Sequence, residues 1–515
     1  MSKVFRSART ISLLTLASRV LGLARDVLSA RIFGTGLVYD AFLLAFTIPN
    51  LFRRLFGEGA LSAAFIPVYA GYLEAGDEGD IRAFRSSVFS VLLAVLAAIA
   101  ACGAVAGAAV PSLVHLPERW RATFELLPVM MVYVVPVCLT AFLGAVLNSH
   151  GHFVMPALAP VVMNAFWIGG LAVFYVAPVS LARLAFVLAA AIVVSGAAQL
   201  AIQFPALGRR GIRVRFRPDF SHPGVRSVRT LMAPAVFGLA VVQINTLLDR
   251  VIAMALVGDP GGVSALFFAD RLIEFPLALV GIAVATAVFP TLSRLAAGGE
   301  NDRFALTFKE TVLGVLYIAV PAAVGIGVLA VPLVRLLFEH GKFDSSSTGR
   351  TSLALACYAA TVACASVYHV VARTFYSLKD TRTPVRVGAA MVALNLALNL
   401  SLVGPLREAG LALATSVSSA ANVLVLLSIL GKRLPVLDLA GLARGLARFA
   451  AMSGVMAAAV LGTLHLMPGE GAFALRLSRV ALPVGVGMLT VALFSILFRF
   501  PEFSFIAASL RRRRG

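Results

Sequence analysis

Charged side chains occur within stretches of this sequence that are otherwise apolar enough to cross a membrane. Arg19, Arg25 and Asp26 lie in the segment SRVLGLARD, and Arg53 and Arg271 stand in or at the ends of two further apolar segments. A charge at the centre of a bilayer costs about 2.5–3.5 kcal/mol or more on insertion scales. Such residues are retained where they face a water-filled cavity, a charged partner or a ligand. Several arginines of this kind predict a cavity that binds an anion.

The spacing of these residues indicates which of them share a helix face. At about 100° per residue, Arg19 and Asp26 lie on the same face of a helix, whereas Arg25 points elsewhere. Arginine suits a diphosphate because its planar guanidinium donates two parallel hydrogen bonds and stays charged. The alternative is a set of internal salt bridges that hold helices together. The candidates are Arg19, Arg25, Asp26, Asp40, Arg53 and Arg271, with Glu58, Asp270 and Glu274 as secondary members.

A second polar set lies in the apolar segments of the later part of the chain. It consists of Asp249, Asn395, Asn399 and Thr415. One carboxylate together with amide and hydroxyl oxygens suits a hard cation such as Na⁺. The alternative is hydrogen bonding between helices. Na⁺ is the only cofactor for which the sequence offers ligands.

The composition indicates an all-α integral membrane protein. The chain has 515 residues, of which 60% are hydrophobic and 13% charged, and its mean hydropathy is +0.94. Soluble domains carry about 25% charged residues. Apolar runs long enough to span a bilayer as helices predict about 14 spans. These lie near 11–32, 37–57, 86–110, 122–147, 155–176, 182–204, 230–257, 263–290, 310–336, 352–375, 385–403, 409–430, 449–466 and 479–498.

The positive charge of the chain follows its predicted topology. The formal net charge is +20, and the basic residues concentrate in alternate loops, with the densest cluster in 205–229. Since cytoplasmic loops carry the excess of Lys and Arg, we expect both termini in the cytoplasm. We interpret the 205–229 arginines as a topology anchor near anionic lipid, with specific ligand binding as the alternative. Nucleic acid is not expected as a partner.

Weak internal repeats indicate two related halves at an offset of 223 residues. Asp26 corresponds to Asp249, Pro67 to Pro290, and the sequence SGAAQL at 195–200 to SSAANV. Parallel repeats about an axis along the membrane normal occur in some transporters, and they predict two six-helix lobes around a central cationic cavity. The predicted domains are an N-lobe at 1–204, a basic cytoplasmic linker at 205–229, a C-lobe at 230–430, and two extra helices with a basic tail at 431–515.

The sequence lacks the common signatures of hydrolases and nucleotide-binding enzymes. It contains no HExxH, GxSxG or Walker motif and no aspartate-rich metal motif, and its seven histidines are scattered. A membrane enzyme of polyprenyl-phosphate metabolism is therefore disfavoured, because it would need a metal-binding carboxylate set. The pattern favours a transporter.

Several segments closely resemble one family. They are SRVLGLARD (18–26), RIFGTGLVYDAF (31–42), IPNLFRRLFGEGALSAAFIP (48–67), ADRLIEFP (269–276), EHGKFD (339–344) and YSLKDTRTP (376–384). They are similar to the MurJ (MviN-type) lipid II flippases of the multidrug/oligosaccharidyl-lipid/polysaccharide exporter superfamily. The resemblance implies two six-helix lobes plus two further helices. It also implies that Arg19, Arg25, Asp26, Asp40, Arg53 and Arg271 are the central-cavity charges.

The same resemblance implies a substrate and a location. The substrate would be undecaprenyl-diphosphate carrying the peptidoglycan disaccharide-pentapeptide. It would be moved by alternating access across a bacterial inner membrane. Its tail would lie in a groove on the last two of the 14 spans. Membrane lipids and the cell-wall synthesis machinery are the further partners expected. We expect the membrane potential to favour the loaded outward step, because the substrate is anionic, and any Na⁺ effect to be secondary. The alternatives are a flippase for another lipid-linked oligosaccharide and a cation-coupled drug exporter.

Overall fold

Helices make up all of the regular structure in the described part of the chain. The computed structural model describes residues 2–57, 60–469 and 471–503. Within these ranges the elements are 18 α-helices and two short π-helical segments. Glu58, a secondary candidate for the site, lies outside the described residues.

The chain divides into two compact units. The first consists of Met1–Met254 together with the short segments Asp259–Ser264 and His340–Lys342, and the second contains the remaining residues. The predicted C-lobe begins at 230, whereas the structure groups 230–254 with the first unit.

The first unit contains the helices up to α10. Packing pairs α1 with α7, α4 with α5, and α7 with α8. The helices are α1 (Ser2–Phe33), α2 (Leu37–Phe52), α3 (Ala60–Ala75), α4 (Glu78–Leu113), α5 (Glu118–Val132), α6 (Val134–Ser149), α7 (Val154–Val176), α8 (Leu181–Ala201), α9 (Gln203–Gly208) and α10 (Pro223–Leu256).

The second unit contains most of α11 and all later helices, with α15 packed on α13 and α16. The backbone at Arg407 is not helical (φ 56°, ψ −136°), so α16 is two helices joined at a kink. The helices are α11 (Gly262–Leu277), α12 (Ala283–Ala297), α13 (Asn301–Val328), α14 (Ala330–Phe338), α15 (Ser345–Ser377), α16 (Arg382–Arg433), α17 (Leu439–Leu466) and α18 (Phe473–Leu497).

The helices account for the predicted membrane spans. Among the described residues, 11 helices are long and apolar enough to cross a bilayer. The kinked α16 provides two spans rather than one. Two further predicted spans fall on α1, whose arginines lower its hydropathy, and on α2, which has only 16 residues. The expectation of an all-α membrane protein with about 14 spans is therefore confirmed.

The repeat appears in the structure as two similar broken helices. In the first, α2 is followed by a π-helical segment, Arg53–Gly57, and then by α3. In the second, α11 is followed by the π-helical segment Ala278–Ile282 and then by α12. A proline precedes each segment, Pro49 within α2 and Pro276 within α11. The sequence prediction ended the first of these spans at 57 and did not include α3.

Two glycines allow a close backbone contact at the end of α1. Gly34 and Gly341 have φ of +62° and +61°. A Cβ on Gly34 would overlap the carbonyl of Lys342, and one on Gly341 would overlap the carbonyl of Arg31. The amide of Lys342 donates to the carbonyl of Arg31 at 2.9 Å. Gly34 and Gly341, which lie within the motifs quoted above, are thus required by this contact.

The basic linker is held against α4 by serine hydroxyls. The amide of Arg215 donates to Ser86 Oγ at 3.2 Å, and the amide of Arg217 donates to Ser90 Oγ at 2.6 Å. The buried Arg85 donates from Nη2 to the carbonyl of Arg213 at 2.7 Å. The linker is therefore ordered and packs against the first half of α4.

Two histidines in the loop after α6 complete this attachment. Arg210 donates to the carbonyl of His150 at 2.8 Å and lies 3.2 Å from His152 Nδ1. Because a guanidinium only donates, Nδ1 of His152 has to be the acceptor, which requires the neutral ring. Burial, followed by the positive charges of Arg85 and Arg210, lowers the pKa of His150, although Glu78 acts in the opposite direction. Burial and Arg210 lower the pKa of His152.

We predict that acid loosens the linker. The pKa of each histidine is lower when the linker is docked than when it is free. Above the ordinary histidine pKa of about 6.5, both rings are neutral in either state, so docking is unaffected. Below that pH, the contribution of the neutral histidines to linker docking is lost as the pH falls through their lowered pKa values. A spin label at an exposed linker position, introduced by Phe216→Cys in a cysteine-free chain, should become more mobile between pH 7.5 and 5.5. With His150→Gln and His152→Gln together, mobility should stay constant, and equal pH responses in both proteins would contradict the prediction.

Candidate functional site

Arg25 and Asp26 form a buried ion pair on α1. Nη2 of Arg25 lies 2.7 Å from Oδ1 of Asp26, and Nε donates to the same oxygen at 2.9 Å. The two residues are 7% and 4% exposed. The sequence analysis placed Arg19 on the face of Asp26 and directed Arg25 elsewhere. In the structure, Arg25 is the residue that pairs with Asp26.

Residues of α7 surround this pair. Arg25 Nη1 donates to Asn164 Oδ1 at 3.1 Å, and Asn164 Nδ2 donates to the carbonyl of Ser18 at 3.0 Å. The guanidinium carbon of Arg25 lies 4.6 Å from the ring centroid of Trp167. The pair is therefore hydrogen-bonded and stacked, as a buried charge requires. Sequence reasoning missed Asn164 and Trp167, although an amide in an apolar span was a signal for the first.

Asp40 binds the start of α11. One oxygen accepts from the amide of Gly261 at 2.6 Å, and the other accepts from the amide and hydroxyl of Ser264 at 2.7 and 2.6 Å. Its carboxylate is 3% exposed. A carboxylate at this position satisfies amides that a helix N-terminus leaves without partners and complements the helix dipole. Asp40 thus has a structural task, and its role toward a substrate stays a prediction.

The other predicted arginines of the first unit are more accessible. Arg19 is exposed. Arg53, in the π-helical segment, is half-buried and donates from Nε to Asn50 at 2.8 Å. Arg54, beside it, is also half-buried. Arg250 of α10, which the sequence analysis did not propose, hydrogen-bonds Thr47 of α2.

The second unit contains the predicted acidic and basic residues of α11. Arg271 Nη1 lies 2.6 Å from Glu274 Oε2, with side chains that are 30% and 40% exposed. The guanidinium carbon of Arg271 is 4.8 Å from the ring centroid of Phe267. Asp270 is half-buried. Arg271 is therefore oriented by two neighbours on its own helix while remaining accessible.

The predicted cation ligands fall into both units. Asp249 belongs to the first unit, and the other three belong to the second. Asn399 Nδ2 donates to Asn395 Oδ1 at 2.8 Å, and Asn395 Nδ2 lies 3.4 Å from Thr415 Oγ1 and 3.3 Å from Ser418 Oγ. Both asparagines are buried. These hydrogen bonds join the two halves of α16. The hydroxyl of Ser418 is a further oxygen in this cluster, and it was not among the predicted cation ligands.

The fold and these side chains define a class of protein. A polytopic helical protein that contains two helix pairs of the same kind, each with a π-helical segment between its members, has the architecture of a membrane transporter. The family model described as "Lipid II flippase MurJ" matches residues 29–482. The chain belongs to this family, whose members are transporters.

Relatives of known identity cover most of the chain. The lipid II flippase MurJ of Burkholderia cenocepacia is 33% identical over 440 residues, which are 84% of each protein. Proteins described as "Probable lipid II flippase MurJ" are 35% identical in Vibrio cholerae, over 82% of each chain, and 36% identical in Haemophilus influenzae, over 80% of this chain and 83% of that one.

Solved structures share the fold. A structure of lipid II flippase MurJ in an inward closed conformation matches with a TM-score of 0.78 and 24% identity, covering 95% of this chain and 98% of that one. An inward-facing multidrug transporter of the MATE family matches with a TM-score of 0.67 and 13% identity, covering 86% and 98%. The chain therefore shares its fold with both of these proteins.

We predict a strong energetic coupling between Arg25 and Asp26. Removing one member of a buried pair costs about 3–5 kcal/mol, because the other charge is left without compensation. Arg25→Ala and Asp26→Ala should each lower the thermal stability of the purified protein strongly. The double variant should be more stable than either single variant, which a double-mutant cycle measures. Additive losses would show that the two side chains do not stabilise each other.

Proposed function

We propose that this protein is a flippase that moves lipid II from the cytoplasmic to the outer leaflet of a bacterial inner membrane by alternating access. The observation that carries the proposal is the family match over residues 29–482. Relatives that are at least 30% identical over about four-fifths of both chains support it.

The chemistry of such a substrate explains why the spans contain arginines. The diphosphate and the sugar–peptide head are polar, and transferring polar groups into hydrocarbon without hydrogen bonds is costly. A polar cavity lowers that cost, and guanidinium groups bind phosphate oxygens bidentately. We infer that Arg19, Arg53 and Arg271 each take part in binding the diphosphate during transport, because they are cationic and their side chains are not buried.

The buried charges have a different role in this proposal. Arg25, Asp26 and Asp40 are each engaged within the first unit and are almost fully buried. We infer that they shape the cavity wall by fixing α1 and the start of α11. Apolar side chains exposed on α17 and α18, such as Leu461, Met488 and Leu489, would accommodate the polyprenyl tail.

The same fold serves drug exporters, which makes a cation-coupled exporter the second candidate. The match to a MATE transporter at 13% identity indicates a shared fold alone. The relatives that align at 30% or more favour the flippase. Other lipid-linked oligosaccharides, and contacts with the cell-wall synthesis machinery, belong to this proposal as substrates and partners to be tested.

We predict that Arg271 is needed for transport. Loss of a charge-assisted hydrogen bond to the diphosphate should lower transport about tenfold or more, so Arg271→Ala should not support growth of a flippase-depleted strain. Arg271→Lys should restore growth only in part, since lysine lacks the planar fork.

The chain offers a matched control for this experiment. Arg303 pairs with Glu300 at 2.9 Å with the same three-residue spacing that joins Arg271 and Glu274, but its side chain is 78% exposed. Arg303→Ala should grow normally. Normal growth of Arg271→Ala at wild-type expression would exclude Arg271 from the site.

The proposed orientation places both termini in the cytoplasm. Ser346, in the first turn of α15, should then be external, and Phe216 of the linker should be internal; both are exposed. With a single cysteine introduced at either position, a membrane-impermeant maleimide applied to intact spheroplasts should label the Ser346→Cys protein only. Labelling of Phe216→Cys instead would reverse the orientation.

We further propose that Na⁺ binds near Asn395, Asn399 and Thr415, which all lie in the second unit. The amide and hydroxyl oxygens of this set are the hard donors that such a cation prefers. The hydrogen bonds described above also fit a purely structural network. An ion-specific measurement therefore has to separate the two.

Sodium should stabilise the purified protein. A ligand that binds only the folded state raises the melting temperature with its concentration, so NaCl should raise it more than choline chloride does. Asn395→Ala should abolish this difference. Asn422→Ala, on the same helix, should retain it. If Na⁺ and choline have equal effects on the wild-type protein, the cluster is only a hydrogen-bond network.

A further inference from the structure

A small basic pocket lies within the second compact unit. Its volume is about 40 Å³, several times the roughly 10–15 Å³ that one water requires. Three of its six lining residues are arginines. The lining consists of Val331, Pro332, Arg335, Gly469, Arg476 and Arg479.

Two helices bring the three arginines together. Arg335 lies in the last turn of α14. Arg476 and Arg479 are three residues apart near the start of α18, so they lie on one face of that helix. Since α14 packs against α18, the three guanidinium groups converge on one space.

The charges around the pocket do not cancel among the described residues. Glu339 Oε2 lies 3.1 Å from Arg335 Nε, and Glu339 Oε1 lies 3.7 Å from Arg476 Nη2. Arg479 donates instead to a neutral acceptor, the carbonyl of Pro468, at 3.0 Å. Among the described residues, one carboxylate therefore faces these three guanidinium groups, so positive charge is in excess in the part of the pocket that the structure describes.

The surroundings of the pocket are apolar and exposed. Val331 is 46% exposed, and Leu466, Phe473 and Leu477 of the adjacent helices are 85%, 62% and 47% exposed. In a membrane protein such side chains face lipid. A charged pocket beside lipid-facing side chains suits an amphiphile that has an anionic head and an apolar chain.

The pocket's position in the membrane argues against a topological role for its arginines. In the orientation proposed above, this end of α14 and α18 faces outward. Basic residues that set topology concentrate on the cytoplasmic side. Arg476 and Arg479 therefore require another explanation.

We infer that this pocket binds the phosphate-bearing headgroup of a membrane lipid, whose chain lies along the exposed side chains of α17 and α18. Guanidinium groups match phosphate oxygens bidentately. The headgroup belongs either to an anionic phospholipid of the bilayer or to a polyprenyl diphosphate that has been transported. The assignment to the outer leaflet and the transported diphosphate as a source rest on the proposed function and orientation.

Native mass spectrometry of the purified full chain tests this inference with two probes, phosphatidylglycerol and undecaprenyl diphosphate. In the variant Arg476→Gln/Arg479→Gln, the first binding event of at least one probe should weaken about tenfold, as expected for lost charge-assisted hydrogen bonds. A loss confined to phosphatidylglycerol identifies a bilayer lipid, and a loss for the diphosphate identifies the transported lipid. Arg303→Gln serves as the control. Unchanged binding of both probes would overturn the inference.

A second variant separates binding from folding. Arg476 donates to the carbonyl of Glu339 at 3.0 Å, so its replacement affects the packing of α18 on the chain after α14. Arg479→Gln alone removes the charge without that contact and should still weaken binding. Arg271→Ala should leave binding of both probes at this pocket intact, so a failure of the transport proposal and a failure of this inference are distinguishable.

Discussion

The cost of placing charge in an apolar environment governs the first compact unit. Arg25 is acceptable inside α1 because Asp26, Asn164 and Trp167 together supply a counter-charge, a hydrogen-bond acceptor and an aromatic face. Asp40 is acceptable because backbone amides and a hydroxyl satisfy both of its oxygens. Each buried charge therefore fixes the position of a neighbouring element, and the packing of α1 on α7 depends on this compensation.

That compensation divides the predicted charges into two groups. The buried residues Arg25, Asp26 and Asp40 are engaged by hydrogen bonds within the first unit and stabilise its packing. Arg271, at 30% exposure, is oriented by Glu274 and Phe267 while part of its guanidinium remains accessible. In the proposed function both groups are needed. The accessible arginines bind the anion, and the buried charges hold the helices of the site in position.

The two π-helical segments occur in both halves of the repeat, and each lies near an arginine of the predicted site. They occupy equivalent places, after α2 and after α11, and each follows a proline. Mid-helix departures from α-helical bonding are frequent at functional sites and hinges. Arg53 lies in the first segment, and Arg271 lies in the helix that precedes the second. Arg53 and Arg271 are therefore close in sequence to the two points where the backbone hydrogen bonding departs from the α-helical pattern.

The sequence by itself determined the membrane class, about 14 spans, the repeat and the family, because these follow from hydropathy, periodicity and local motifs. Tertiary structure decided that Arg25 rather than Arg19 pairs with Asp26, that Asp40 binds Gly261 and Ser264, and that Arg250 contacts Thr47. Helical periodicity specifies which face a residue occupies. It does not specify which other helix packs against that face, and the partner of a buried charge depends on that packing.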